Sequence, residues 1–127
     1  MLNLSHKNLE VYKISLLLVK EVYRLTKFYP KEEQFILVSQ LRRAAISVSS
    51  NLEEGAARIS PKEKKRFYEV ARASLVEVDT QVEISLMLEY LRKENITEFE
   101  KYEESVFRIL SKMIGNLELK IPLTKPH

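Results

Sequence analysis

Cysteine is absent from this 127-residue chain, which removes disulfides, thiolate metal ligands and cysteine nucleophiles together. Histidine occurs twice, at His6 and His127, both in the terminal segments. Residues so placed cannot supply the paired Glu-x-x-His motifs of a di-iron bundle or the base of a serine hydrolase. Glycine also occurs twice, at Gly55 and Gly115, so no glycine-rich phosphate loop can be written. Long apolar runs are missing too: Leu16–Val19 is enclosed by Ser15 and Lys20, far short of the roughly 20 residues of a membrane span. The stretch holding Asn3, Ser5, His6, Asn8 and Glu10 has no apolar segment of a secretory signal, so the expected location is the cytoplasm, with no membrane partner.

These absences exclude most enzyme chemistry, and no catalytic residue, metal ligand or cofactor is expected. Carboxylate pairs such as Glu53 with Glu54, or Asp79 with Glu83, are of a type that holds a divalent ion or moves a proton. At such spacing, however, charges ordinarily form a solvated face or ion pairs. What remains is 45% apolar and 31% charged, the composition of one folded domain, residues 1–127. The net charge of +3 is unevenly spread: +3 over residues 1–30, 0 over 31–58, +3 over 59–75 and −3 over 76–127. A basic half beside an acidic one favours nucleic-acid binding or head-to-tail self-association.

Apolar residues recur at helical spacing almost throughout, and no segment alternates with period two. The first helix is expected over 9–28, with Val11, Ile14, Leu18, Val22 and Leu25 inward and Lys13, Lys20, Arg24 and Lys27 opposite. Pro30 stops it. A second helix over 31–54 carries Val38, Leu41, Ala45, Val48 and Leu52 on one side, with Gly55 placed as its left-handed cap. Ser60-Pro61-Lys62-Glu63 reads as a capping box opening a third helix over 61–95, and Thr97-Glu98-Phe99-Glu100 as another opening a fourth over 98–117. The fourth turns Tyr102, Val106, Ile109, Met113 and Leu117 inward, and 121–127, with Pro122 and Pro126, is expected to be a disordered tail. Four such helices with short connections fold most simply as an all-α, antiparallel up-down-up-down four-helix bundle.

The third helix is apolar on two sides. Phe67, Ala71, Leu75, Val78, Val82 and Leu86 form the stripe a bundle needs, while Ala73, Val76, Thr80, Ile84, Met87 and Leu91 form a second, roughly opposite. A helix apolar on two sides is buried on two sides, so the second stripe is expected to meet another subunit unless a long loop or splayed first helix covers it. On the second helix, the small residues Ala44, Ala45, Ser47, Ser49 and Ser50 permit close approach of a neighbouring backbone. Around them Arg42, Arg43, Asn51, Glu54 and Arg72 are expected to form a structural polar network, with Arg58, Arg43 or Arg72 compensating carboxylates that the helix dipole disfavours. Arg58, Lys62, Lys64, Lys65 and Arg66 cluster at the start of the third helix and, with Lys13, Lys20, Arg24 and Lys27, offer a surface for nucleic-acid phosphates. Ordinary solubility is the competing reading, because Glu63 and Glu69 dilute that charge. No signature of base readout is present.

Residues 22–33, VYRLTKFYPKEE, then Gln40-Leu41-Arg42-Arg43-Ala44-Ala45, Ser50-Asn51-Leu52-Glu53-Glu54-Gly55 and the segment Ala71–Glu77 resemble the four-helix-bundle proteins encoded in intervening sequences of bacterial 23S rRNA genes. The resemblance covers about Leu9 to Leu117 and is specific through the order of its motifs. Tyr12 stands where the usual pattern has tryptophan, and Glu53 where it has a small residue. The resemblance implies a homopentamer related to the accessory variability determinant of diversity-generating retroelements, a basic pentamer that binds nucleic acid and a reverse transcriptase. RNA or DNA and a protein partner are thus implied; the alternative is a purely structural or protein-interaction scaffold that binds no nucleic acid.

Overall fold

The computed structural model describes residues 1–4 and 9–123 and is a four-helix bundle. Its helices are α1, Glu10–Thr26; α2, Ser39–Ala57; α3, Pro61–Met87; and α4, Thr97–Glu118. Each packs on the next and α4 returns to α1, so α1 and α3 are diagonal corners of a square. Hydrogen bonds fix the antiparallel registers. Ser15 meets Ser49 and Arg42 meets Thr26 between α1 and α2; Ser47 meets Ser74 and Gln81 meets Gln40 between α2 and α3; Arg72 meets Ser111 between α3 and α4.

Periodicity accounts for the core. Val11, Leu18, Val22 and Leu25 of α1, Leu41, Ala45, Val48 and Leu52 of α2, and Ala71, Leu75, Val78 and Val82 of α3 are buried together. The small residues of α2 act as their size suggests. Ala44, Ala45 and Ser49 are buried, and the hydroxyl pairs Ser15–Ser49 (2.8 Å) and Ser47–Ser74 (2.9 Å) let α2 approach both neighbours. On α4 the centre of the seam is Phe99, Val106, Leu110, Ile114 and Leu117, whereas Tyr102, Ile109 and Met113 are only partly buried.

Several expected boundaries are corrected. The first helix ends at Thr26, leaving Phe28 exposed. The segment 31–38 is no α-helix: a 3-10 turn over Lys31–Glu33 leads into a π-helical turn over Gln34–Val38, which buries Leu37 and Val38 and leaves Phe35 and Ile36 exposed. Gly55 does not end α2, which continues to Ala57, and no glycine has a positive φ. Ser60 does cap α3, its hydroxyl accepting from the Glu63 N–H at 3.1 Å. Thr97, by contrast, is the first residue of α4 and not its side-chain cap.

The third helix stops at Met87 and not at residue 95. Its end is a Schellman motif: the Tyr90 N–H donates to the Ser85 carbonyl (2.9 Å) and the Glu89 N–H to that of Leu86 (3.0 Å), with Glu89 at φ 64°. Leu91 then folds back into the core, so it leaves the outer stripe. Tyr90 packs on the buried Tyr29 at 5.4 Å between ring centroids and donates its hydroxyl to Glu33 (2.7 Å), fastening this end of α3 to the α1–α2 connection. Glu89→Gly removes the side-chain strain of a left-handed residue and is expected to raise stability by about 0.5–1 kcal/mol, read as a higher urea midpoint with unchanged slope. Of the expected tail, 121–123 carry no helix, and 124–127 lie outside the described residues, as does His6.

Candidate functional site

The basic cluster assembles where α2 gives way to α3, but much of its charge is already engaged. The Arg58 guanidinium meets Glu54 at 3.0 Å and Glu63 at 4.0 Å, and lies over the Phe67 ring, as does that of Arg66. Lys64 donates to the Ala56 and Gly55 carbonyls (2.9 and 3.4 Å), closing the C-terminal end of α2, where a cation is favoured. Lys65 pairs with Glu118 at 3.5 Å. Lys62 is exposed on the rim. Lys13, Lys20 and Lys27 are exposed along α1, and Arg24 there is tied to Glu21 and to the Asn95 carbonyl. Because α1 and α3 are diagonal, the two basic sets do not form one continuous surface.

The expected polar network is also divided. Arg42 donates to Thr26 (2.9 Å) and stacks on Tyr23 at 4.4 Å. Asn51 donates to the Ser47 carbonyl and hydroxyl; Arg72 donates to Ser111 (3.2 Å); and Glu54 is held by Arg58. Arg43 joins none of them and is exposed. Arg42 reaches α1 and Arg72 links α3 to α4, whereas Asn51 and Glu54 find their partners within α2 or just past its end. Of the compensating arginines expected for Glu54, Arg58 is the one present.

Two of the grooves on the outer surface carry both charged and exposed apolar side chains that bear on the site. One, of about 450 Å³, runs between α3 and α4 and is lined by Leu75, Val76, Asp79, Glu103, Glu104, Phe107 and Arg108. Val76 connects it to the outward stripe, where Ala73, Thr80, Ile84 and Met87 are exposed as well. Here the carboxyl groups of Glu103 and Asp79 lie side by side. Burial first, then the neighbouring Asp79 carboxylate and the charge of Glu100, push the Glu103 carboxyl up to about 9. Its Oε2 is buried without a hydrogen-bond partner. Among the described residues no cluster of three or more His, Asp or Glu is placed to hold a metal ion. The other groove, of about 440 Å³, lies between α1 and α2 beside the π-helical turn and is lined by Tyr23, Phe35, Arg42, Arg43 and Ile46, among others. Phe35 is 90% exposed there.

Sequence reading did not single out Asp79 with Glu103, or Phe35 with Arg43, as pairs. The first depends on α3–α4 register, which no local pattern encodes. The second had a signal in Phe35-Ile36-Leu37-Val38, four consecutive apolar residues of which a helix buries only part.

A family model described as 23S rRNA-intervening sequence protein matches residues 7–112. No curated protein matches the chain. A crystal structure at 1.70 Å of a protein with unknown function, from the S23 ribosomal protein family of Bacteroides thetaiotaomicron, is similar in fold, with a TM-score of 0.75 and 21% identity over 83% of this chain and 95% of that one.

Proposed function

The chain belongs to the 23S rRNA-intervening sequence protein family, and from that premise we propose that it works without catalysis, as a homo-oligomeric helical bundle whose joined copies meet nucleic-acid phosphates. The supporting observation is the outward stripe of α3: Val76 is 50% exposed, Ile84 37% and Met87 72%, with Phe107 beside them. The α3 side chains face away from a core that is already filled, and no loop of the described chain covers them. Leaving such a contiguous patch in water is what a subunit contact avoids. The family resemblance implies five copies. Repetition turns one modestly basic rim into an array, and multivalency makes weak phosphate contacts effective. Of the two basic sets, Lys62 and Arg66 at the start of α3, Lys13 and Lys20 on α1 and Lys27 just past its end are without an ion pair among the described residues and can serve it.

No helix of the described residues is long and apolar enough to cross a membrane, and the proposed setting is the cytoplasm. Native mass measurement is expected to give a multiple of the 14.9 kDa chain; a clean monomer overturns the reading. Single-stranded RNA and duplex DNA are expected to bind at low salt, to release as salt rises, and to weaken severalfold with Lys62→Glu and Arg66→Glu combined. One observation favours a second reading, a scaffold that touches protein alone: Arg24, Arg58, Lys64 and Lys65 are engaged within the chain. Oligomers that bind neither nucleic acid at low salt select that reading.

A further inference from the structure

We infer that copies of this chain join through unlike faces, with Arg43 of one copy seated on the Asp79–Glu103 carboxyl pair of the next. The inference rests on the self-association proposed above and deepens it by naming the contact. Three observations support it independently of stoichiometry.

The first is charge. Asp79 and Glu103 lie together in a partly apolar groove, and neither has an ion-pair partner among the described residues. Arg72, on the same flank of α3, is directed to Ser111, and Arg108 lines the groove without pairing with either acid. Glu100 and Glu104 add further negative charge. Such a groove repels a phosphate and favours a guanidinium, which binds paired carboxyls through its fork of donors. Arg43 is exposed on the α1–α2 side, with no acid at ion-pair distance among the described residues.

The second is apolar surface around the charges. Phe35 and Ile46 flank Arg43, and Val76 and Phe107 flank the carboxyls; all four are exposed in the single chain. Contact between these faces therefore withdraws apolar area from water around a desolvated ion pair, the arrangement of an interface centre.

The third is height along the bundle. The Gln81–Gln40 hydrogen bond, 3.3 Å, sets α2 and α3 level at that point. The helices are antiparallel, so Arg43, three residues onward in α2, and Asp79, two residues back in α3, both lie on the same side of it. At 1.5 Å per residue they are about 4.5 and about 3 Å from the bond. A second copy set alongside, its axis parallel and unshifted, thus brings Arg43 level with the pair within roughly 2 Å. A foreign basic partner has no such register built into this chain, and a second copy has. Contacts between unlike faces close into a ring when the rotation per copy permits.

Charge reversal tests the pairing, read as the concentration at which the native assembly dissociates, with helical circular dichroism to confirm folding. Arg43→Glu and Asp79→Arg are each expected to raise that concentration at least about tenfold, because like charges then oppose across the contact. Combined, they restore assembly through the swapped pair. An assembled wild type with either single variant unchanged, or a double variant as weak as the singles, overturns the contact while leaving self-association standing. A monomeric wild type overturns the self-association itself.

Discussion

Gly55→Val is expected to destabilise the protein by about 3 kcal/mol, the upper part of the usual range for overpacking a close-fitted core. A Cβ at this position meets Tyr68 Cε1 at 2.6 Å and Cδ1 at 2.8 Å, and Phe67 Cβ at 3.1 Å. These are ring and near-backbone atoms, and the ring cannot readily yield, because Tyr68 is 5% exposed. The helices cannot separate cheaply either, since the Ser47–Ser74 and Gln40–Gln81 bonds hold α2 against α3 further along. Valine adds two methyl groups to the collision and brings poor helix propensity. Alanine makes the same first contact but recovers about 1 kcal/mol of helix propensity, so Gly55→Ala is expected to lose less. Urea unfolding of both variants measures the difference. If alanine stabilises by the full propensity gain, Tyr68 swings aside and the close-packing account of Gly55 is wrong.

Gly55 also marks where sequence reasoning reached and where it stopped. Its position near the end of a helix was legible, but its function was not: the same residue serves a left-handed cap or a close helix crossing, and only the neighbour across the gap distinguishes them. Glu89 is the converse. A Schellman end normally announces itself through glycine, and here glutamate occupies the left-handed position, so the pattern of α3 reads as continuing to residue 95. Helical periodicity identified the faces of α1 and α2 because each has one dominant inward stripe, and those of α3 because its two stripes lie on opposite sides. It misplaced the centre of α4, where Tyr102, Ile109 and Met113 compete with Leu110 and Ile114 for the seam. The outward stripe of α3 was legible for the same reason as the inward one, apart from Leu91, which lies beyond the helix. Partners of the charged residues were not. Lys65 finds Glu118 and Glu103 finds Asp79 only after α3 and α4 dock, and sequence spacing within either helix carries no trace of those meetings.

Glu103→Gln, made in an Arg43→Glu background to hold the chain monomeric, is expected to stabilise the protein by about 2 kcal/mol near pH 8 and by almost nothing near pH 4. The sign follows from linkage. The Glu103 carboxyl is raised in the folded state to about 9 from 4.5. Below the lower value both states hold the proton; between the two, folding must retain a proton that the unfolded chain releases, so stability falls as pH rises and the loss is complete above the folded value. The full shift corresponds to about 6 kcal/mol, but the groove is open to water, and screening reduces this to roughly 2. Glutamine keeps the volume and removes the titration, flattening that part of the pH profile; an unchanged slope rules out Glu103 as its source. Asp79 on α3 and Glu100, Glu104 and Arg108 on α4 are the charged groups around it, and acids predominate. In the proposed assembly Arg43 from the next copy supplies the missing cation and favours the ionised carboxyl, so association is expected to release the proton and to strengthen from pH 6 to pH 9. Glu103→Gln with Arg43 intact is expected to abolish that dependence, and dissociation concentrations measured across the range decide whether the arginine reaches the pair.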